Sequence, residues 1–219
     1  MVTDTVQENN SVIIAGRIVE ECQFSHEVYG EGFYIFKVAS ERLSDQVDMI
    51  PITVSERLTA LENLKQGTYV EIKGQLRSYN NYNNKKNHLV LTVFARDIAF
   101  TEPVEGVQAP NQIFLNCFVC KPPVYRKTPL GREIADMLVV VNRAYKKSDY
   151  IPCIAWGRNA KFSSTLEVGT NIHIWGRVQS RVYQKNMGDQ TEERVAYEVS
   201  VSKIEIVREE QKKESLQEV

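Results

Sequence analysis

The chain has 219 residues, 42% of them hydrophobic and 25% charged, and a net charge of −1. That length allows one large domain or two of about 100 residues, and the composition is ordinary for a globular protein. The opening residues are polar, and no run nears the roughly 18 apolar residues of a membrane helix, so a cytoplasmic protein is expected.

The near-neutral total hides an asymmetry. Residues 1–109 carry 10 Lys and Arg against 15 Asp and Glu, a net of −5. Residues 110–207 carry 14 against 9, a net of +5, and 208–219 carry 3 against 4. A polyanion that binds this chain should meet chiefly its second half.

In chain order, β-type alternation predicts strands near 11–22, 33–41, 46–54, 68–78 and 89–100. Leu58, Leu61 and Leu64 recur at helical spacing before Gly67, predicting a short helix over 55–64. A linker with Pro103, Gly106 and Pro110 follows. The same order then returns, with strands near 112–122, 133–143, 148–156, 169–181 and 194–207 and a helix near 158–166. The repeat is also visible residue by residue. Asp48-Met49-Ile50-Pro51 returns as Asp149-Tyr150-Ile151-Pro152, Gly30 answers Gly131, and Arg42 answers Arg143. Further on, Gly67 and Gly74 answer Gly169 and Gly176. A period of about 100 residues means two domains, and five strands with a helix between the third and fourth is OB-fold order. The expectation is all-β: two five-stranded OB barrels in tandem, over 1–101 and 112–207, with a linker at 102–111 and a short charged tail from 208.

Cys22, Cys117, Cys120 and Cys153 lie in apolar β-type runs, as buried reduced thiols do. The Cys117–Cys120 spacing has no second pair to complete a zinc site, and His26, His88 and His173 are scattered. No metal or cofactor is expected. No strand end clusters the carboxylates or histidines a nuclease would need, and no phosphate-cradling glycine loop is present, so an enzyme is not expected.

Strand alternation locates a surface. Tyr150, Pro152, Ile154 and Trp156 share one face of the 148–156 strand, and Ile151, Cys153 and Ala155 the other. The first copy answers the second set with Ile50, Ile52 and Val54, so that set is core and Tyr150 and Trp156 are predicted to face outward. Cations flank them: Arg143, Lys146, Lys147, Arg158, Lys161, Arg177, Arg181 and Lys185. By alternation around Ile172 and Ile174, His173 and Trp175 also face outward, toward a base or a subunit interface. The first copy is poorer, with Ser44, Met49 and Ser55 at the places of Tyr145, Tyr150 and Trp156. It is expected to be scaffold, with Tyr79, Tyr82, Lys85 and Lys86 as an auxiliary contact.

Gly131 to Arg143, Asp149 to Arg158, Val168-Gly169 and Gly176 to Arg181 together make the second copy resemble the bacterial single-stranded DNA-binding protein family. The resemblance implies base-stacking aromatics at Tyr145, Tyr150, Trp156 and Tyr183. It also implies sequence-independent single-stranded DNA binding in replication, recombination or repair. Family members with one OB domain per chain typically assemble four such domains, which for this chain implies a homodimer. The family's tail ends in an acidic, aromatic-tipped peptide that recruits replication or repair proteins; the ending Glu-Ser-Leu-Gln-Glu-Val219 lacks it. The competing reading is a primosome-type OB protein acting mainly through protein partners. Stacking faces do not sense the 2′-hydroxyl, so they leave DNA and RNA undistinguished.

Overall fold

The computed structural model describes residues 9–42, 44, 46–81, 88–186 and 191–208. Among them are six strands in each half of the chain. The first half has β1 (Asn10–Ile18), β2 (Gln23–Val28), β3 (Glu31–Glu41), β4 (Val47–Ser55), β5 (Tyr69–Asn81) and β6 (His88–Phe100). The second has β7 (Asn111–Val119), β8 (Val124–Lys127), β9 (Glu133–Asn142), β10 (Ser148–Trp156), β11 (Asn171–Asn186) and β12 (Thr191–Ile206). Among the described residues a single α-helix, α1 (Arg158–Ser163), lies between β10 and β11.

The pairings repeat. The first-half strands run β3-β4-β6-β5-β1, and β3 also pairs with β1. The β4–β6 pairing is parallel, and β1–β3, β1–β5, β3–β4 and β5–β6 are antiparallel. The second-half strands run β9-β10-β12-β11-β7, and β7 pairs back with β9. Each is the OB connectivity, and the fold is all-β of that class. The extra strands β2 and β8 are short partners added to β3 and β9. Both were absent from the predicted elements. Every described residue of β2 and β8 is exposed, so neither carries the apolar alternation that marks a half-buried strand.

Burial follows the alternation elsewhere. Phe36, Ile50, Ile52 and Ile72 are fully buried in the first half, and Leu115, Val139, Ile151, Ile172 and Ile174 in the second. Where β1 crosses β3, a Cβ on Gly16 would stand 2.0 Å from the carbonyl oxygen of Ala39, so only glycine fits there.

The helix predicted at 55–64 does not form; only a 3₁₀ turn at Leu61–Asn63 does. Ser55 Oγ accepts the Arg57 N–H, a local bond that competes with helix, and Ala60 at the turn's start offers no side-chain cap. In the second copy Gly157, at φ +56°, turns the chain from β10 directly into α1. Glu56 holds the matching place in the first copy, with its N–H on Gly32 O as Gly157 N–H is on Glu133 O. A glutamate does not readily adopt the left-handed φ of that glycine.

By contact density the chain falls into two compact units. One comprises Phe114–Gly176 with the chain up to Asn10 and from Ser200; the other comprises Ser11–Ile113 and Arg177–Val199. The outer part of the β11–β12 hairpin thus belongs with the strands of the first half. Its anchor is a polar knot. Ser180 N–H donates to Asp48 Oδ1 at 2.7 Å, Arg42 Nη2 donates to the Ser180 carbonyl at 3.1 Å, and Met49 N–H donates to Ser180 Oγ at 3.3 Å. Asn111 adds a reciprocal pair with the Val178 backbone at 2.8 and 2.9 Å.

Cys117 and Cys153 are buried as expected, whereas Cys22 and Cys120 are only half-buried; all four are free. Burial pushes the Cys117 thiol up to about 12. Among the described residues no helix is long and apolar enough to cross a membrane.

Candidate nucleic-acid interface

In the unit around β10 the aromatics do stand out from the barrel. Tyr145 is 93% exposed, Tyr150 46% and Trp156 40%. Tyr145 sits in a 3₁₀ turn, Ala144–Lys146, where it and Lys146 both have left-handed backbones, φ 58° and 55°. The turn is closed by Arg143 N–H on Lys147 O at 2.8 Å. Two successive non-glycine residues held this way cost conformational energy, and such strain gathers at functional sites. Here it presents a bare ring and an ammonium to solvent. Lys146, Lys147 and Arg158 are exposed beside these rings.

Pro152 is half-buried and Ile154 is 5% exposed, so the outward face carries aromatics only at its two ends. The first copy agrees, since Thr53, in the place of Ile154, is buried and bonded to the Thr92 hydroxyl at 2.9 Å.

The predicted cations divide by environment. Arg143 Nε lies 3.0 Å from Oδ2 of Asp149, whose side chain is fully buried, so this guanidinium is committed to the fold. Lys161 pairs with Glu133 at 3.2 Å, and the same carboxylate, hydrogen-bonded to Tyr125, is held below the usual carboxylate range. An exposed pair of this kind is weak and leaves Lys161 available to a stronger anion.

The predicted contacts Arg177, Arg181, Tyr183, Lys185 and Tyr79 lie in the other unit. Arg181 Nε is 3.7 Å from Glu198 Oε1, and its guanidinium sits 5.9 Å from the Tyr183 ring centroid. Tyr183 itself is half-buried. Arg177 is half-buried, donates to Gln179 at 3.1 Å, and is lowered by burial and by the neighbouring charge of Arg42. Its surroundings are those of a structural cation. Tyr79 is exposed. Lys185 lies on β11, but its side chain, like Tyr82, Lys85, Lys86 and the chain from 209, falls outside the described residues.

Trp175 is not bare. It is half-buried in an aromatic cluster with Phe114 (5.3 Å) and His173 (5.8 Å), and Lys203 Nζ caps its ring at 4.5 Å. Five exposed rings among the described residues escaped the sequence reading: Tyr29 in the turn after β2, Phe100 at the end of β6, Tyr125 on β8, Phe162 on α1, and Phe24 on β2, edge-on to Tyr34 at 5.6 Å. Phe162 was absorbed into the predicted helix, and β2 was not predicted at all.

An OB barrel whose outward aromatics are interleaved with cations defines the class of fold and surface used for single-stranded nucleic acid. The model described as the single-strand binding protein family matches residues 110–207, the second copy of the repeat. Single-stranded DNA-binding protein 3 of Listeria innocua is 33% identical over 85 residues, 36% of this chain and 53% of that protein. Single-stranded DNA-binding protein A of Bacillus subtilis is 31% identical over 85 residues, 36% of this chain and 49% of that protein. The chain thus spans about half the length of these relatives. Among solved structures, the wild-type single-stranded DNA binding protein from Thermus aquaticus shares the fold at a TM-score of 0.68 and 20% identity, with 91% of this chain and 93% of that one covered. The N-terminal domain of PriB protein from Thermoanaerobacter tencongensis is 49% identical over 44% of this chain and all of that one, at a TM-score of 0.39.

Proposed function

We propose that this chain is a tandem OB-fold protein that binds single-stranded DNA without sequence preference and without chemistry on it, in DNA replication, recombination or repair. The observation that carries the reading is the run of exposed rings at Tyr145, Tyr150 and Trp156 with Lys146, Lys147 and Arg158 beside them. Rings accept any base by its flat face, and ammonium and guanidinium groups follow the phosphates. The names of the curated relatives agree with it. The second copy is the principal binder. The first copy, acidic and with Met49 and Ser55 at the stacking places, supports the β11–β12 hairpin through Asp48 and Arg42.

Titration with oligo-dT of several lengths, followed by intrinsic tryptophan fluorescence, tests this reading. Tight, length-dependent quenching is expected. Equal affinity for duplex DNA, or only micromolar binding alongside tight capture of replication proteins, would overturn it. We further infer a homodimer that brings four OB domains together, since twofold pairing is the commonest closed symmetry. Light scattering at micromolar concentration without DNA decides that point: a mass near one chain defeats the dimer.

A further inference from the structure

Beside Trp156 lies a groove of about 460 Å³ lined by Trp156, Arg158, Asn159, Phe162, Ser202 and Ile204. We propose that it takes one base of the bound strand, with Phe162 as a stacking ring beyond those at Tyr145, Tyr150 and Trp156. The proposal rests on the single-strand-binding reading above and extends the bound strand's path from the end of β10 over α1 toward β12.

Four observations carry it. Ala160 and Ser163 form the buried side of α1, which leaves Arg158 and Phe162, four residues apart, on one outward face. Phe162 is 37% exposed, so an apolar ring stands in water where the core makes no use of that part of it. The groove also has fixed walls: Asn159 Nδ2 donates to the Ser202 carbonyl at 2.9 Å, tying α1 to β12, and Ile204 is buried beneath. Finally, the lining suits a base on a polyanionic strand. It offers two aromatic rings, an apolar floor and a guanidinium, and no carboxylate. Its volume lies in the range of roughly 300–1,000 Å³ usual for small-molecule sites.

The test uses the full chain and oligo-dT. Phe162→Leu keeps apolar contact but removes the ring; Phe162→Tyr keeps the ring. Phe162→Leu and Phe162→Ala should weaken binding about 5- to 100-fold, the loss of one stacked base, while Phe162→Tyr binds as the parent does. If Phe162→Ala fails to fold, the Leu and Tyr variants still decide the matter. Parental affinity in Phe162→Leu overturns the groove as a base site and leaves the β10 surface standing. An unsubstituted chain that ignores oligo-dT overturns the surface, and the groove with it.

Discussion

Arg143 and Asp149 face each other at 3.0 Å across the turn from β9 to β10, with the carboxylate wholly buried. Six residues apart in the same way, Arg42 Nε donates to Asp48 Oδ2 at 2.7 Å. The pair recurs because each copy needs it to hold a strand corner. Removing the arginine takes the counter-ion from a buried carboxylate, a loss of about 1–3 kcal/mol. Arg143→Ala should therefore lower the urea midpoint clearly, whereas Lys147→Ala, at an exposed position, should shift stability by less than about 0.5 kcal/mol and weaken DNA binding instead.

The two copies should respond unequally to loss of their matched residues. Trp156→Ala removes an exposed ring and should weaken oligo-dT binding by about 1–3 kcal/mol. Met49→Ala and Ser55→Ala, at the corresponding places of the first copy, should leave affinity near that of the parent. Equal losses at Trp156 and Met49 would contradict the assignment of the first copy to support.

Binding should weaken with salt. If three to five phosphates are neutralised, log K should fall against log salt with a slope of roughly −2 to −3.5. Titrations at several chloride concentrations give the slope directly, and a flat response would mean that the cations beside Tyr145 and Trp156 do not meet phosphate.

Strand alternation and the repeat made the ten principal strands legible in the sequence, along with the exposure of Tyr150 and Trp156. Interior and exterior faces of a strand differ in polarity, and the two copies check each other. Alternation tells which face a residue takes and not what covers it: Ile154 shares the face of Tyr150 and Trp156 and is only 5% exposed. Charge alone also could not tell Arg143 from Lys147; a buried Asp149 makes the difference, and its burial is a tertiary fact. Most consequential was the hairpin β11–β12. Nothing in the run from Arg177 to Val199 says that Ser180 meets Asp48, 132 positions earlier in the chain.

His173 supplies a pH test. Burial against Phe114 and Trp175 lowers its pKa below the ordinary 6.5, with the carboxylate of Glu205 opposing part of the shift. The unfolded chain then binds the proton more readily than the folded one, so stability rises with pH across that interval. It is lost as pH falls from about 6.5 through the lowered folded value and is constant above. Urea unfolding at about pH 5 and pH 8, followed by tryptophan emission, should show this difference in the parent and a smaller one in His173→Gln.

Asp48 and Ser180 offer the last test, because they join the outer hairpin to the first copy's strands. Asp48 accepts the Ser180 N–H at 2.7 Å and the Ser180 hydroxyl at 3.2 Å, while Arg42 holds both the carboxylate and the Ser180 carbonyl. Ser180→Ala removes only the hydroxyl contacts and should cost about 0.5–1.5 kcal/mol. Asp48→Ala removes the acceptor from a backbone N–H and the partner from Arg42 together, so its cost should be larger, about 1–3 kcal/mol or more. The residues share one network, so the double variant should lose less than the two single losses combined. The same hairpin carries Arg181 and Tyr183, whose guanidinium and ring lie 5.9 Å apart. Asp48→Ala, though outside the stacking surface, should therefore also weaken oligo-dT binding, and Tyr183→Ala should add little on that background. Full additivity of Asp48→Ala and Tyr183→Ala in oligo-dT affinity would show that the anchor does not hold Tyr183 in place for the strand.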